Sequence, residues 1–544
     1  MNPMNFAIYY VGDGYSTDKK IMGRQSAGKA LMKGVARRWK AEEIHGFGVG
    51  RGAAQAMLKQ LQSDGFSGTL RWREAPGDKV LEQLGAVYYP GPVTKDIAHA
   101  RNSQGPNAYS LFGVTHTLSS SGAMDMVSDM VLPPFKPWDA LICTSSAALS
   151  VVTKLQSEYR AWMAEHTGAT RFNSVALPVI PLGVNAPDFE CDDGQKVQAR
   201  KALGIGPDDV AFLFAGRMTF HAKASPVVVY QALEAAFQQT GRTLVCVEAG
   251  VYPNSHTAEA YAQARKFLAP NVRFIQVDGQ DAPRYQQAWR SADVFVSLSD
   301  NIQETFGLTP LEAMAAGLPV LVSDWDGYKD TVRDGVDGYR VPVTLPPEGA
   351  GADLALRHAL GRDSYDYYIG RVSMTTAIDL GVLTDRIVAL TEDPNLRKIL
   401  GAAGQARIRQ TYDWPIILGR YAELVSELGE IRRSAPATSG TWIARPDPYR
   451  LFADYPTRVL DFGLKVAVNA ERAKTIETFL DLGVTRYALD PVALPRETII
   501  DLLRAAERDT LTVGALVGAP DPAQPVRIRA LMWLYKLGLV DLQS

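Results

Sequence analysis

Two glutamates, Glu304 and Glu312, lie on either side of a glycine in residues 304–322, the stretch whose residue types are best suited to chemistry. We expect a loop at its start, a short helix from near Pro310 and then a buried strand. Gly307 lets the backbone approach a ligand closely, and the free N–H groups at a helix start attract a diphosphate. One carboxylate on each side of the phosphates could then hold sugar hydroxyls.

Glu312 has a second interpretation. Thr309-Pro-Leu-Glu312 is also a capping box with proline at the first helical position, in which the glutamate bonds the backbone of its own helix. The sequence leaves both roles open, and one side chain can serve both. Glu304 has no such local purpose, because we expect it in a loop at the carboxyl end of a strand, where open α/β sheets bind their ligands.

Basic and imidazole side chains follow two other apolar runs. Arg217 and Lys223 come after the run at 210–215, and His116 follows the run at 111–114. Guanidinium and ammonium groups can stabilise the charge on a leaving phosphate. On local grounds alone, two cations in a loop are usually solvated and a lone histidine usually has a structural role.

The elements that must position these residues are predicted by apolar runs that alternate with helical patterns. Such alternation indicates parallel sheets covered on both faces, and so the α/β fold class. Two series of strands are expected, at 5–11, 86–89, 111–114 and 140–144, and at 210–215, 243–248, 272–276, 294–298 and 319–322. The stretch 179–187, with its prolines and glycine, is typical of the connector between two such units.

We therefore place a first domain at 1–183, a second at 184–432, whose last helix could pack back on the first, a linker at 433–450 and a small accessory domain at 451–544. The helical patterns at 495–506 and 526–537 give the accessory domain an α-rich character that resembles a winged helix. Its last helix has only three basic residues among many apolar ones, so we expect it to pack or bind a partner rather than nucleic acid.

Composition excludes several classes of protein. The chain has 544 residues, a formal net charge of −2 and 46% hydrophobic residues, which is typical of a multi-domain globular protein without a general attraction to nucleic acid. Its three cysteines form no disulfide framework and no metal-ligand spacing. Without a signal or membrane-span pattern, we predict a cytoplasmic protein, and attachment to the inner face of a membrane and a homodimer both stay open.

The motifs together resemble a family, the retaining glycosyltransferases of the two-domain GT-B fold, specifically family 4, the glycosyl transferases group 1. The resemblance rests mainly on the paired glutamates. It is supported, in the right order along the chain, by the connector at 179–185, by Gly216-Arg217 with Lys223, and by Tyr412-Asp-Trp414. These elements cover residues 1 to about 430 and imply two Rossmann-like domains facing a central cleft.

The resemblance also implies roles for individual residues. Arg217 and Lys223 would neutralise the donor diphosphate, Glu304 would contact the donor sugar, and Glu312 would bind the ribose. His116 would lie beside the sugar, which makes the implied catalytic set Arg217, Lys223, Glu304 and His116. The implied donor-binding set also contains Gly23, which opens a helix of the first domain, and the positions Gly216, Thr305, Phe306, Gly307, Leu308 and Glu312.

By this resemblance the protein would move a hexose from a nucleotide diphosphate sugar, with a UDP-sugar favoured, to an acceptor hydroxyl of an unidentified glycan, lipid or small metabolite. Transfer would proceed with retention of configuration. No cofactor and no metal are expected, because Asp324-Trp-Asp326 follows the nucleotide motif and so does not match the metal-binding pair of the other large transferase fold. Two alternatives remain, a nucleotide-sugar-binding protein without transfer activity and a winged-helix regulator or scaffold.

Overall fold

The structure is a computed structural model that describes residues 3–15, 23–48, 50–74, 79–437 and 445–544. The chain forms two compact units, Met1–Trp442 and Ile443–Ser544. Residues 438–444 of the predicted linker at 433–450 lie outside the described residues.

The first sheet is parallel and has six strands in the order β3-β2-β1-β4-β5-β6. Its strands are β1 Ala7–Tyr9, β2 Glu43–Phe47, β3 Thr69–Arg73, β4 Ala86–Tyr89, β5 Ser110–Val114 and β6 Ala140–Ile142. Its helices are α1 Gly23–Arg38, α2 Arg51–Ser63, α3 Lys79–Leu84, α4 Lys95–Arg101, α5 Ser121–Asp129 and α6 Ser146–Thr167. The four strands expected here are present, whereas β2 and β3 escaped prediction because polar residues interrupt their apolar pattern.

The second sheet repeats this arrangement in the order β12-β11-β10-β7-β8-β9. Its strands are β7 Val210–Ala215, β8 Leu244–Gly250, β9 Arg273–Asp278, β10 Val294–Ser297, β11 Val320–Ser323 and β12 Gly338–Val341. Its helices are α7 Asp193–Leu203, α8 Val227–Thr240, α9 Ser255–Leu268, α10 Ala282–Ser291, α11 Leu308–Ala315 and α12 Tyr328–Thr331. All five expected strands are present, and the prediction missed the edge strand β12.

The chain then crosses back toward the first sheet. The elements involved are α15 Leu380–Glu392, α16 Pro394–Arg407, a π-helical turn at Ile408–Tyr412 and α17 Trp414–Ser434. Trp414 is fully buried, and a Cβ atom on Gly34 of α1 would lie 2.4 Å from the Trp414 Cβ, so α1 and α17 pack in close contact. One hydrophobic core contains Phe6 and Trp39 from the first half as well as Phe295 and Leu311 from the second.

This architecture confirms the predicted fold class, α/β with two Rossmann-like domains facing a central cleft. Parallel sheets need apolar cover on both faces, which the helices provide, and the carboxyl ends of the strands remain open for a ligand.

One excursion interrupts the second domain. Strand β13, Val343–Thr344, pairs antiparallel with β14, Ala377–Ile378, so the chain leaves and returns at the same place. Between them lie two helices, α13 Ala352–Ala359 and α14 Tyr365–Ser373. We call residues 345–376 the α13–α14 hairpin.

The unit Ile443–Ser544 has its own core, built around Leu480, Leu503 and Leu531. It contains α18 Pro448–Leu451, β15 Lys465–Val468, α19 Ala470–Ala473, α20 Ile476–Asp481, α21 Gly483–Arg486, α22 Arg496–Arg508, α23 Val513–Val517, α24 Gln524–Lys536 and β16 Val540–Gln543. The two strands pair antiparallel. The α-rich character is confirmed, and the winged-helix resemblance stays a prediction.

Two arginines of α24 make contacts inside this unit. Arg527 donates to the Asp521 carboxylate at 3.0 Å, and the Arg529 Nε donates to the Ala493 carbonyl oxygen at 2.8 Å. Among the described residues, no helix combines the length and the apolar character needed to cross a bilayer.

Candidate active site

Loops from both sheets enclose a cavity of about 670 Å³ in the central cleft. Every residue of the predicted site lines it. From the first domain these are Gly23 and His116, and from the second Gly216, Arg217, Lys223, Glu304, Thr305, Phe306, Gly307, Leu308 and Glu312. The structure therefore brings together side chains that are separated by as many as 289 positions in the chain.

Lys223 and Glu304 form an ion pair at the centre of this cavity, with the ammonium Nζ 2.6 Å from the carboxylate Oε2. Burial alone would raise the pKa of Glu304, but the Lys223 ammonium and the backbone N–H groups of Phe306 and Thr305 hold it below its usual value. Burial likewise opposes the charge on Lys223, yet Glu304 raises its pKa above the usual value. Both groups are thus charged at neutral pH, and the loop after β7 is tied to the loop after β10.

The backbone of Gly307 is also fixed by this carboxylate. Its N–H donates to the Glu304 Oε1 at 3.0 Å, and its φ of 78° is in the left-handed region that favours glycine. A Cβ atom at this position would lie 1.9 Å from the ring of Tyr328. Glycine is therefore required here both by the backbone conformation and by the neighbouring ring.

Helix α11 begins two residues earlier than predicted, and the predicted capping box is absent. The cap position is Gly307, whose left-handed φ starts the helix at Leu308. The Thr309 hydroxyl has no hydrogen-bond partner among the described residues, so it does not cap the helix. Glu312 is free of that role and faces the cavity, where burial raises its pKa to about 7, partly offset by Lys223.

Part of the backbone expected to bind phosphate is engaged by the protein itself. The Gly307 N–H donates to the Glu304 Oε1 at 3.0 Å, and the N–H groups of Phe306 and Thr305 lie close enough to the same carboxylate to lower its pKa. The amides of Leu308 and Thr309 start α11 and have no partner within the helix. An incoming diphosphate would meet these two amides first, together with Lys223.

His116 lies at the joint between the two domains. Its Nε2 is 3.3 Å from the Pro90 carbonyl oxygen, and its own carbonyl oxygen accepts a hydrogen bond from the Thr305 hydroxyl at 3.0 Å. Burial, reinforced by the charge of Arg24, lowers the pKa of His116 to about 4. The imidazole is therefore neutral at pH 7 and can donate or accept a hydrogen bond without carrying charge.

The start of α6 provides a second contact between the domains. The Ser145 hydroxyl donates to the Thr305 carbonyl oxygen at 2.8 Å, and the Ser146 N–H donates to the Asp330 carboxylate at 2.6 Å. A carboxylate at a helix N-terminus is stabilised by the helix dipole. The first domain thus forms hydrogen bonds with the segments that carry Thr305 and Asp330.

A family model matches part of the second domain. Residues 195–353 match the model described as glycosyl transferases group 1, and this span contains the loop after β7, the paired glutamates and the strands that carry them. This part of the chain is therefore similar to the glycosyl transferases group 1.

Curated relatives are similar to a part of the chain. The phosphatidyl-myo-inositol mannosyltransferase of Mycobacterium tuberculosis (strain H37Rv) is 29% identical over 259 residues, which are 47% of this chain and 54% of that protein. The D-inositol 3-phosphate glycosyltransferase of Jonesia denitrificans is 34% identical over 193 residues, which are 34% of this chain and 43% of that protein. The chain thus spans about half the length of the curated relatives it matches.

Among solved structures, the HepE protein of Anabaena, crystallised with UDP and glucose, superposes with a TM-score of 0.49 at 15% identity. The superposition covers 78% of this chain and 99% of that chain.

Several residues of this site were missed by sequence reasoning. Gln303 accepts a hydrogen bond from the Arg217 Nη2 at 2.8 Å, and its position directly before Glu304 was the signal that could have found it. Tyr285 lines the cavity, and burial, followed by Glu312, raises its pKa to about 12. On the first-domain side, Gln25 is 6% exposed and its Oε1 has no partner among the described residues.

A second cavity of about 860 Å³ adjoins the first and shares Arg217 and Glu312 with it. Gly279 and Gln280, which follow β9, line this second cavity. In the described part of the chain, no three His, Cys, Asp or Glu side chains lie close enough together to hold a metal ion.

Proposed function

We propose that this chain is a glycosyltransferase that moves a hexose from a nucleoside diphosphate sugar to an acceptor hydroxyl, with retention of anomeric configuration. The observation that carries the proposal is the Lys223–Glu304 ion pair in a cavity that also contains Arg217 and Glu312. Those four residues lie inside the segment that matches the glycosyl transferases group 1.

Charge stabilisation of the departing diphosphate is the main contribution that we assign to the protein. Arg217 and Lys223 both line the cavity, and the helix start at Leu308 adds the positive end of a dipole. We propose that these groups take the place of a metal ion and that no cofactor takes part. The neutral imidazole of His116 would then position the sugar without competing for the phosphates.

We propose a front-side attack, in which the bond between the anomeric carbon and the diphosphate oxygen breaks as the acceptor oxygen bonds to the same face of the sugar. The leaving phosphate oxygen accepts the acceptor proton, so no protein carboxylate acts as nucleophile. This agrees with Glu304 being held as a carboxylate by Lys223 rather than left free to attack.

For the donor we propose a UDP-sugar, as the family resemblance implies, bound with its diphosphate near Leu308 and its nucleoside toward Gly279 and Gln280. For the acceptor, the relatives are named for phosphatidyl-myo-inositol and D-inositol 3-phosphate. An inositol that carries a phosphate is therefore the first acceptor class to assay, and attachment to a membrane surface would follow only from the lipid form.

The test is thermal-shift screening of the purified chain with UDP, GDP, ADP and their common sugars, followed by transfer assays with myo-inositol phosphates and phosphatidylinositol. A nucleotide at one hundred times its Kd should stabilise the fold by about 2.7 kcal/mol. Arg217→Ala and Glu312→Ala should lose the shift, whereas Arg242→Ala, on an exposed loop residue outside both cavities, should keep it.

Further measurements separate the finer parts of the proposal. Product NMR reports retention or inversion, and activity in excess EDTA reports metal independence. A wild-type chain that binds a nucleotide but transfers and hydrolyses nothing would favour the alternative of a binding protein. A wild-type chain that binds no nucleotide at millimolar concentration would contradict the proposed function.

A further inference from the structure

The α13–α14 hairpin is an addition to the second domain that the sheet itself does not need. Thr344 and Ala377, which flank it, are direct cross-strand partners. The match to the group 1 family ends at residue 353, just inside the hairpin. Helix α13 has no buried residue, and Leu356 and Leu360 are 59% and 61% exposed. Helix α13 therefore contributes nothing to the core of the domain, whereas α14 buries Ile369 and Gly370.

Its contacts are instead concentrated on the candidate site. The Tyr365 hydroxyl lies 2.8 Å from the Ser119 Oγ and 3.0 Å from the Thr117 Oγ1, both in the first domain. The same hydroxyl accepts a hydrogen bond from the Gln303 Nε2 at 3.3 Å. One phenol thus joins the hairpin, the first domain and the residue before Glu304.

Gln303 carries this connection to the donor side of the cavity. Its Oε1 accepts a hydrogen bond from the Arg217 Nη2 at 2.8 Å while its Nε2 donates to Tyr365. The two ends of the amide are therefore both engaged. Because an amide with both ends bonded has one preferred orientation, the position of the Arg217 guanidinium depends on Tyr365.

A second face of the hairpin supports the loop after β7. A Cβ atom on Gly370 would lie 3.1 Å from the Cβ of His221, so α14 packs closely on this loop. The His221 carbonyl oxygen accepts a hydrogen bond from Asn301 at 2.6 Å. The loop that ends at Lys223 is thus held between α14 and the segment before Glu304.

The hairpin is also firmly built. The Asp363 carboxylate, only 5% exposed, accepts hydrogen bonds from the Arg357 Nε and Nη2 at 2.8 and 2.9 Å and lies 3.2 Å from the Arg371 Nε. The His358 ring stacks on Tyr368 at a centroid distance of 4.8 Å, and its Nε2 lies 3.2 Å from the Ser121 Oγ of the first domain. Ion pairs and a stacked ring pair thus hold the two helices of the hairpin together, and His358 connects them to the first domain.

We infer that the α13–α14 hairpin is a positioning element, in which Tyr365 acts through Gln303 to aim Arg217 at the donor diphosphate when the Thr117–Ser121 segment of the first domain docks. This inference rests on the proposed function, because the kinetic part of its test measures the rate of sugar transfer. Tyr365 lines neither of the two cavities, so it is a positioning residue. Through this hairpin, full stabilisation of the diphosphate charge by Arg217 depends on closure of the cleft.

The direct test compares Tyr365→Phe with Tyr367→Phe, a change of the same kind on an exposed side chain of the same helix. We expect Tyr365→Phe to lower kcat about three- to tenfold, the range of one neutral hydrogen bond, with the acceptor KM nearly unchanged. Tyr367→Phe should match the wild type. Equal kinetics for the two variants would overturn the inference.

A double-mutant cycle with Arg217→Ala shows whether Tyr365 acts through this arginine. In the Arg217→Ala background, adding Tyr365→Phe should change kcat by less than about twofold, because the group to be aimed is absent. A loss as large as in the wild-type background would show that the hydroxyl acts by another route, and the inference would be wrong.

A third measurement is independent of catalysis. Hydrogen exchange of the ligand-free chain should show faster exchange at residues 117–121 in Tyr365→Phe than in Tyr367→Phe, because the contact between the domains is lost. Unchanged exchange would overturn the inference even if the wild type transferred no sugar. An inactive wild type whose Tyr365→Phe variant exchanges faster at 117–121 would contradict the proposed function and leave the docking contact supported.

Discussion

The two halves of the candidate site are built differently. On the second-domain side, Lys223, Glu304 and Gly307 satisfy one another, so the charges and the backbone are fixed before any ligand arrives. On the first-domain side, Gln25 is buried with an unpartnered oxygen, and Arg24 lines the cavity. A preformed charged surface suits a diphosphate, which is the same in every donor. The Thr309 hydroxyl on the second-domain side is unpartnered as well, but the charged groups there are fixed, whereas the Gln25 amide on the first-domain side can still bond an acceptor.

The largest expected effect comes from breaking the preformed side. Lys223→Met removes the ammonium and leaves the Glu304 carboxylate buried without its partner. We expect the transfer rate to fall about 10²- to 10³-fold, and the thermal midpoint to fall as well, because an unpaired buried charge is costly. Steady-state kinetics and a melting curve measure both.

The double variant Lys223→Met/Glu304→Gln separates folding from chemistry. Removing both charges should restore most of the thermal midpoint, while the rate stays low. Recovery of the rate together with the midpoint would mean that Lys223 serves stability alone, and the contrast between the two halves would then have no catalytic meaning.

The backbone of the preformed side provides the next largest effect. Gly307→Ala forces a side chain into a left-handed position and into the Tyr328 ring, so we expect nucleotide affinity to fall about tenfold or more as α11 shifts. Gly335→Ala is the matched control, because Gly335 has a φ of 71° but nothing within 4 Å of an added Cβ. Titration calorimetry with the nucleotide that the wild type binds should show a loss of affinity for Gly307→Ala only.

The contrast between the two halves of the candidate site also explains which parts of the fold and of the site the sequence could predict. The stretches at 210–215 and 294–298 are mostly apolar, and the glutamates that follow have a distinct spacing. Five of the six strands of the second sheet were therefore predicted, together with residues that line the cavity. Strand β3, Thr69–Arg73, has alternating exposure and polar residues at an edge, so no apolar run marked it.

Interactions between distant segments were beyond sequence reasoning for a physical reason. Tyr365 lies 248 positions from Thr117, and their hydrogen bond depends on how two domains close, which local pattern does not encode. The predicted start of helix α11 was also wrong, and here the reason is local. Proline and threonine near Pro310 pointed to one cap, whereas the left-handed backbone of Gly307 produced another two residues earlier.

Glu312 gives a smaller, pH-dependent effect. Its pKa is raised to about 7 by burial, so the folded chain holds this proton more tightly than the unfolded chain does. Stability is therefore lost as the pH rises from about 4.5 to 7, the interval between the unfolded and folded pKa values. Glu312→Gln should raise the thermal midpoint by about 1–3 °C at pH 8 and hardly change it at pH 4.5.

The control for that pH profile is His116. Burial puts its pKa at about 4, so its charge does not change between pH 5.5 and 8. In the unfolded chain, however, this imidazole gains a proton near its ordinary pKa of about 6.5, so the wild type loses stability as the pH falls below that value. His116→Asn should therefore change the midpoint more favourably at pH 5.5 than at pH 8, the opposite pH direction to Glu312→Gln. A Glu312→Gln shift that is the same at pH 4.5 and pH 8 would contradict the assignment of a buried, proton-binding carboxyl at this position.

The smallest effect is expected on the first-domain side, where Gln25→Leu replaces a buried amide by an apolar group of similar size. Donor affinity should stay within about twofold of the wild type, and the thermal midpoint should hold or rise, because an unsatisfied buried oxygen is removed. The acceptor KM should rise about three- to tenfold, since the amide would otherwise pair with an acceptor hydroxyl. An unchanged acceptor KM together with a lower donor affinity would contradict the comparison of the two sides. Gln25 would then contact the diphosphate, and other groups of the cleft would bind the acceptor.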